Sequence, residues 1–435
     1  MNSTPHPTKF STLQALSFRF NSASTYNLQG HVDVSRNPDA QALAVSMAIV
    51  QAGHPYLAFK LTGDDRVDPS SPAPQIPVFL HRCRNIVERD EILSRELNKD
   101  FAVDDCAPGS VIVCQWRDDR WTIAFTLPHY LADGTSTVAL VIDVLTAYTE
   151  LISGGSPHIE MHEPVSLENA VTPRGLDSDF SIMIPGTDLN DGVAPGTVPL
   201  EDRRSALLAV TLESDTTRRL VDGCQDKGCG LNTLISAACM DAMSEEIAQE
   251  APRDGAAERP KVSLFVVADQ RRPLLKVHDT RRLGVASVVA RVLRYARGEG
   301  ESLWRLADRC TDSLFRFQRK RGFFKSLLSL NWLRDLPDDR VLEAAEFKDE
   351  HVVVSFLGDI GAIPGAEVFE EVGTEELGHS ASTAFTEGTR WGMMVIAHIY
   401  QMRLTFSLSY TEPYWDRDRA VRFGERLKST LEAAI

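Results

Sequence analysis

The sequence predicts an α/β protein with mixed sheets, organised in two halves. Its 435 residues exceed the usual size of one hydrophobic core and suit two domains of about 200 residues each. Segments with helical periodicity alternate with segments of strand periodicity in both the first and the second half of the chain. Between them, a proline-rich stretch with several glycine turns holds neither period for long, which is typical of a crossover linker. We therefore place an N-terminal domain at 1–153, a linker at 154–205 and a C-terminal domain at 206–435.

The individual elements follow from local periodicity and turn residues. In the first half we expect a helix near 38–52, strands near 56–61, 110–116 and 121–127, and a helix after Gly134. In the second half we expect a strand at 206–212, a helix at 232–246, a strand at 261–268, helices near 302–319, three further strands and a last helix near 417–434.

The most informative segment is the hexapeptide His129–Gly134. The residues before it alternate apolar and small or polar side chains as a half-buried strand does, and Pro128 ends the ladder because it has no backbone donor. After it, apolar residues recur at helical spacing, and we expect Thr135 or Ser136 to cap that helix. His129 therefore lies at a strand-to-helix switch, where a side chain usually faces a cleft.

A histidine at such a position can act as a general base near neutral pH, because its ordinary pKa lies close to that pH. Gly134 allows a tight backbone turn or a close approach by a substrate. Asp133 can accept hydrogen bonds from the backbone or from an arginine that hold the loop in shape. We expect Asp133 to support the site rather than to react.

The hexapeptide resembles the His-x-x-x-Asp-Gly signature of the coenzyme-A-dependent acyltransferase superfamily. This group includes BAHD acyltransferases, condensation domains of peptide synthetases, fungal alcohol acyltransferases and polyketide-associated acyltransferases. Further segments resemble the superfamily in the same order along the chain, from about Tyr26 to the C-terminus. These segments are 53–57, 230–238, 267–274, 355–358 and the alternating segments 393–399 and 402–409.

The resemblance implies two similar sandwich-like domains with mixed β-sheets and flanking helices, as in chloramphenicol acetyltransferase, with an active-site channel between them. It implies His129 as the base and Asp133 paired with Arg271. We expect Ser355 and Tyr130 to bind the substrate, and Ser355 and nearby backbone amides to be candidate oxyanion donors. Two departures argue against a plant-type BAHD enzyme and, mildly, against a peptide-synthetase domain. Pro128 replaces the first of the two adjacent histidines that are common in condensation domains, and no aromatic Asp-Phe-Gly-Trp-Gly loop occurs.

Composition limits the other possibilities. A net charge of −15 argues against nonspecific binding to nucleic acid, which requires a basic surface. We expect no membrane-spanning segment, no secretory signal and no metal site, and the seven scattered cysteines suit reduced thiols in a cytoplasmic protein. We also expect a monomer.

One dense basic run, which includes Arg319, Lys320 and Arg321, stands out against this acidic background. Such a run is usually a solvated helix face. It is alternatively an entrance patch for the phosphates of coenzyme A or for an acidic carrier protein.

Three hypotheses for function remain. The first is transfer of an acyl group from acyl-CoA or a carrier-bound thioester to a hydroxyl acceptor, in secondary metabolism and without a tightly bound cofactor. The acyl thioester would be a co-substrate, and a polyketide synthase is a possible partner. The second is a condensation-like enzyme that forms an amide, or that releases or cyclises a polyketide or peptide chain. The third is a non-catalytic binding relative, against which the intact His129, Asp133 and Gly134 argue.

Overall fold

The computed structural model describes residues 10–62, 66–101, 106–159, 198–250, 259–271, 282–326, 333, 336–337, 350–384 and 392–435. The helices are α1 (Thr12–Ala23), α2 (Ala40–Gly53), α3 (Pro55–Ala58), α4 (Ile86–Leu97), α5 (Gly134–Ile152), α6 (Ser214–Lys227), α7 (Leu231–Glu250), α8 (Leu303–Arg319), α9 (Val368–Glu371) and α10 (Arg417–Glu432). The strands are β1 (Asn27–Val34), β2 (Phe59–Thr62), β3 (Arg66–Pro72), β4 (Val78–Arg82), β5 (Ser110–Arg117), β6 (Arg120–Pro128), β7 (Arg204–Leu212), β8 (Val262–Asp269), β9 (Ser287–Tyr295), β10 (His351–Asp359), β11 (Thr374–Ala381), β12 (Gly392–Tyr400) and β13 (Arg403–Glu412). The protein is therefore a mixed α/β protein, as predicted.

The chain forms two compact units, and each unit combines segments that are separated in the sequence. The first unit comprises Met1–Ser178, Asp269–Ser287 and Asp359–Ser382, and the second comprises Asp179–Ala268, Val288–Gly358 and Thr383–Ile435. The predicted domains at 1–153 and 206–435 therefore require a correction, since two segments of the second half of the chain belong to the first unit. One of them carries β11, which pairs antiparallel with β1. Most of the predicted linker, residues 160–197, lies outside the described residues.

The first unit is built on a five-stranded sheet in the order β11-β1-β6-β5-β4. β4 runs parallel to β5, and the other neighbours are antiparallel. Helices cover both faces of its strand β1. Gln29 donates from Nε2 to the Leu93 carbonyl of α4 at 3.1 Å, whereas a Cβ on Gly30 would lie 3.2 Å from the Thr137 Cγ2 of α5. All eight residues of β1 are consequently buried.

The second unit is built on a six-stranded sheet in the order β7-β13-β12-β10-β8-β9. Its strands β8 and β10 are parallel, with Val266 opposite Val354. Helix α7 contributes small side chains to the core, including Ala237, Ala238 and Ala242, and packs against α8. Small residues allow the helix backbone to approach its neighbours closely.

Helix α5 bears on the expectation that no segment spans a membrane. Its 19 residues are long and apolar enough to cross a bilayer by length and composition alone. However, 67% of its apolar stretch is buried inside the protein, because α5 packs against α2 and the sheet of the first unit. This burial is typical of the core helix of a globular unit.

The predicted strand at 56–61 is also partly wrong. Pro55 begins the short helix α3, which continues to Ala58, and the strand β2 starts only at Phe59. Proline favours the first helical position because it needs no partner for a backbone N–H there. Strand β1 was not predicted, because its polar residues obscure the apolar alternation.

Candidate functional site

His129 follows directly after the last residue of β6. Pro128 closes that strand opposite Asn27 of β1. The backbone N–H of His129 donates to the carbonyl of Tyr26 at 2.8 Å, and its ring stacks on the Tyr26 ring with centroids 4.4 Å apart and planes 19° from parallel. The side chain is half-buried. A backbone hydrogen bond and an aromatic neighbour therefore hold the imidazole in one orientation.

The environment of His129 favours its neutral form. Burial lowers the pKa of the imidazole, because an apolar surrounding penalises the charged ring. The backbone groups of His129 and Ala132 and the charge of Asp133 act in the opposite direction but do not outweigh burial. Its Nδ1 atom is buried. At neutral pH the ring is thus predominantly able to accept a proton.

Asp133 is the N-cap of α5. Its extended backbone places the carboxylate over the first turn, where Oδ1 accepts from the Ser136 N–H at 3.0 Å. The expectation that Thr135 or Ser136 would cap the helix is therefore wrong by a few residues. Gly134 is the first residue of α5 and does not have a positive φ. The structure thus does not require glycine there for a left-handed turn, and a close approach by a substrate stays a prediction.

Asp133 and Arg271 form the predicted pair. The Arg271 Nη1 and Nη2 atoms donate to the two Asp133 oxygens at 2.8 and 2.9 Å, and both side chains are no more than 1% exposed. The carboxylate also accepts from the Ala286 N–H at 2.8 Å and from the Ser287 hydroxyl at 3.1 Å. Burial raises the pKa of Asp133, but the Arg271 guanidinium and these donors outweigh burial and hold the pKa well below its usual range. Asp133 is therefore an ionised anchor whose oxygens are occupied.

Two further groups complete this network and were missed from sequence. The Gly284 carbonyl accepts from the Asp133 N–H at 3.2 Å and from the Ser136 hydroxyl at 2.9 Å. The Asp269 carboxylate accepts from the backbone and guanidinium of Arg271 at 2.8 and 3.2 Å, and from the Thr135 hydroxyl at 3.3 Å. Asp269 lies two residues before Arg271, a spacing that could have identified it. Gly284 acts through its backbone and leaves no such signal.

Tyr130 requires a correction. Its side chain is 2% exposed and packs in an aromatic cluster, with ring centroids 5.9 Å from Phe10 and 5.1 Å from Phe18. It lies in the turn that follows β6, and its ring is buried against these two aromatic side chains. Tyr130 is a packing residue of the first unit rather than a substrate-binding one.

The remaining predicted residues lie in the second unit. Ser355 is on β10 and is 9% exposed. Arg319, Lys320 and Arg321 are exposed at the carboxyl end of α8. Arg321 has a φ of 55°, in the left-handed region that closes a helix and that usually selects glycine. The first unit thus brings together His129, Asp133, Gly134 and Arg271, while the roles of Ser355 and the basic run stay predictions.

Several solved structures resemble this chain over nearly its whole length. It superposes on polyketide synthase associated protein 5 from Mycobacterium tuberculosis with a TM-score of 0.60 at 17% identity, covering 96% of this chain and 95% of that one. The first condensation domain of the CDA synthetase gives a TM-score of 0.64 at 13% identity, covering 100% and 97%. The EpoB cyclization-docking bidomain from Sorangium cellulosum gives 0.63 at 14% identity, covering 98% and 84%. No protein-family model and no curated protein matches the sequence. The chain therefore has the condensation-domain fold.

Proposed function

We propose that this protein is an acyltransferase that moves an acyl group from a thioester to a hydroxyl acceptor, with His129 as general base. One observation carries the proposal: the half-buried His129 is held in the neutral form at a strand end, while the neighbouring Asp133 is fully engaged with Arg271 and backbone donors. The imidazole is thus left as the group of this loop that can exchange a proton.

The reaction proceeds without a covalent acyl-enzyme. His129 removes the proton from the acceptor hydroxyl as its oxygen attacks the thioester carbonyl carbon, which forms a tetrahedral oxyanion. Collapse of that intermediate breaks the carbon–sulfur bond, and the departing thiolate takes the proton back from the imidazolium. Because Nδ1 is buried, we assign the proton transfers to Nε2.

Asp133 is a positioning residue in this mechanism. A carboxylate that accepts from Arg271, Ser136 and Ala286 has no lone pair aimed at the imidazole to share. It fixes the loop between β6 and α5, and through the loop it fixes the ring of His129. The Arg271 charge offsets the cost of burying it.

The donor is acyl-CoA or an acyl group on a carrier protein. The structural neighbours include a polyketide synthase associated protein and condensation and cyclization domains, which supports a role with thioesters in secondary metabolism. The exposed basic run at Arg319, Lys320 and Arg321 suits either the phosphates of coenzyme A or an acidic carrier. No tightly bound cofactor is needed, because the thioester already carries a good leaving group.

Amide formation is the second candidate. The condensation-domain fold favours it, since one such domain covers the chain at a TM-score of 0.64. An amine acceptor would use the same His129 and the same proton transfers. Release or cyclisation of a carrier-bound chain would differ only in the origin of the nucleophile.

The test is His129→Ala with the purified protein and a panel of acyl thioesters, each offered with an alcohol and with an amine. General-base catalysis contributes about 10²–10⁴-fold, so we expect turnover to fall by that factor while the melting temperature stays unchanged. In the wild type, the acid limb of the kcat/KM profile should lie below the ordinary histidine value of about 6.5. Near wild-type turnover in the variant would refute the mechanism, and the favoured acceptor separates ester from amide formation.

A further inference from the structure

The ring of Tyr26 lies flat against the ring of His129. The two planes are 19° from parallel and the ring centroids are 4.4 Å apart, so the imidazole meets the face of the phenol ring and not its edge. An aromatic ring carries negative charge density on its face and positive charge density at its edge. A cation within about 6 Å of such a face is attracted to it. The stack therefore acts differently on the neutral and on the protonated imidazole.

Tyr26 is fixed in this position by contacts within the first unit. Its N–H donates to the Asn21 Oδ1 atom at 3.0 Å, and its carbonyl accepts from the His129 N–H at 2.8 Å. The ring of Phe20 meets its ring edge-on, with centroids 6.1 Å apart and planes at 82°. Asn21 is itself buried in the last turn of α1. Because both the backbone and the ring of Tyr26 are held, its face stays beside the imidazole.

The Tyr26 hydroxyl is not suited to exchange the proton itself. Burial raises the pKa of this hydroxyl, because an apolar surrounding penalises the phenolate anion. The phenol is therefore neutral around neutral pH, and its face keeps the electrostatic character of an uncharged aromatic ring. The imidazole of His129 is the group whose charge changes, and the ionised Asp133 is the charge that acts on it.

We propose that Tyr26 is a second positioning residue of this site, whose ring face stabilises the imidazolium that forms when His129 takes the acceptor proton. This inference rests on the proposed acyl transfer. The proton moves from the acceptor hydroxyl to Nε2, stays there while the tetrahedral oxyanion exists, and leaves with the thiolate. Burial alone would make the ring a weak base, and the face of Tyr26 opposes that loss of basicity.

The first test measures the effect on the imidazole without any substrate. Tyr26→Phe keeps the ring face, whereas Tyr26→Leu replaces it by an aliphatic group that still excludes water. NMR titration of the His129 Cε1–H resonance, assigned by its absence in His129→Ala, gives the pKa of the ring. We expect Tyr26→Leu to lower this pKa by about 0.4–1.5 pH units and Tyr26→Phe to leave it within about 0.3 pH units of the wild type.

A substitution that preserves the shape of the ring covers the case in which Tyr26→Leu does not fold. Pentafluorophenylalanine at position 26 reverses the sign of the charge density on the ring face, so the pKa of His129 should fall at least as far as in Tyr26→Leu. Tyr148→Leu is the matched control. Tyr148 is buried near the opposite end of α5, where its hydroxyl accepts from the Asp39 N–H at 3.0 Å. Its replacement should lower the melting temperature and leave the pKa of His129 unchanged.

Kinetics with the preferred acyl thioester connect the stack to catalysis. We expect kcat to fall by about 2- to 30-fold in Tyr26→Leu and to be restored in Tyr26→Phe. KM should change little, because the imidazolium forms only after the substrates have bound. An unchanged or raised pKa of His129 in Tyr26→Leu, or an unchanged kcat, overturns the inference even if His129-dependent transfer is intact. Absence of transfer with every donor overturns the proposed function, and the titration then still decides whether the face of Tyr26 stabilises the imidazolium.

Discussion

Two buried aspartate–arginine clusters of the first unit share their chemistry and differ in their electrostatic balance. Arg271 pairs with Asp133 next to His129. Arg89 of α4 pairs with Asp33 of β1 at 2.6 Å and with Asp90 at 2.7 Å. These side chains are all at most 8% exposed. Yet the pKa of Asp133 is lowered and the pKa of Asp33 is raised.

The difference comes from the number of donors that each carboxylate receives. Asp33 accepts one guanidinium N–H and the Thr122 hydroxyl, and it shares Arg89 with Asp90, so burial dominates and raises its pKa. Asp133 accepts both terminal nitrogens of Arg271, two backbone N–H groups and a hydroxyl, which together outweigh its burial. An ion pair alone therefore does not keep a buried carboxylate ionised. The number of hydrogen-bond donors around the carboxylate decides whether its pKa is lowered or raised.

The largest effect is expected from removing one carboxylate of each cluster. Asp133→Ala leaves Arg271 with Asp269 as its remaining carboxylate partner, which is 36% exposed, and it removes the acceptor of the buried Ala286 N–H, so we expect a cost of about 3–5 kcal/mol of unfolding free energy. Asp33→Ala should cost less, about 1–3 kcal/mol, because Asp90 still pairs with Arg89. Chemical denaturation of the two variants and the wild type measures both values.

Activity sharpens this first comparison. We expect Asp133→Ala to lose acyl transfer together with stability, and Asp33→Ala to keep the activity of its folded fraction. His129→Ala should instead keep the wild-type melting temperature and lose turnover by about 10²–10⁴-fold. A stable but inactive Asp133→Ala protein would contradict a purely positioning role and indicate a direct part in the chemistry.

The second effect concerns pH. Because the folded pKa of Asp133 is lowered, its stabilisation is present above the unfolded value of about 3.9 and is lost as the pH falls through the folded pKa. The folded pKa of Asp33 is raised, so its contribution is present below about 3.9 and is lost as the pH rises through the folded pKa.

Between pH 3 and pH 7, the difference in unfolding free energy between the wild type and each Asp→Asn variant should therefore change in opposite directions for the two clusters. The advantage of the wild type over Asp133→Asn should grow as the pH rises, and its advantage over Asp33→Asn should shrink. Each unit of pKa difference corresponds to about 1.4 kcal/mol. Parallel pH profiles for the two variants would show that the two clusters do not differ in this way.

The smallest effect is expected from exposed charges, which contrast with both buried clusters. Reversing Arg319, Lys320 and Arg321 to Glu should leave stability unchanged, since exposed pairs contribute little. It should raise the donor KM several-fold at low ionic strength, and high salt should remove the effect, because the Debye length is about 8 Å at physiological ionic strength. The acceptor KM should not change.

Three donors identify what this basic run recognises. A nucleotide site penalises acyl-CoA but not acyl-pantetheine, whereas a carrier-docking site penalises the carrier-bound donor and neither free thioester. The triple reversal of Arg218, Arg219 and Lys227 to Glu, exposed on α6, is the matched control for net charge. If the variant and the wild type have equal kinetics with all three donors, the run is only a solvated helix face.

The local sequence pattern was sufficient to predict some elements of this molecule. The alternation of residues 121–127 and the helical spacing after Gly134 place His129 at the end of β6 and before α5. These features depend on neighbours within a few residues along the chain, and the periodicity of the sequence reflects such neighbours. The pairing of Asp133 with Arg271 was reached only through the family resemblance, because 138 residues separate the two.

Tertiary structure decided the parts that depend on distant partners. Strand β1 carries Asn27, Gln29 and Asp33, which read as surface residues until α4 supplies the Leu97 and Leu93 carbonyls and Arg89 as their partners. The Gly284 and Ala286 backbone groups hold Asp133 without any side-chain signal. Thus the sequence by itself determined the identity and the local setting of the histidine. Its electrostatic environment was decided by the fold, since buried charges are stabilised by groups that the chain brings together only when it closes.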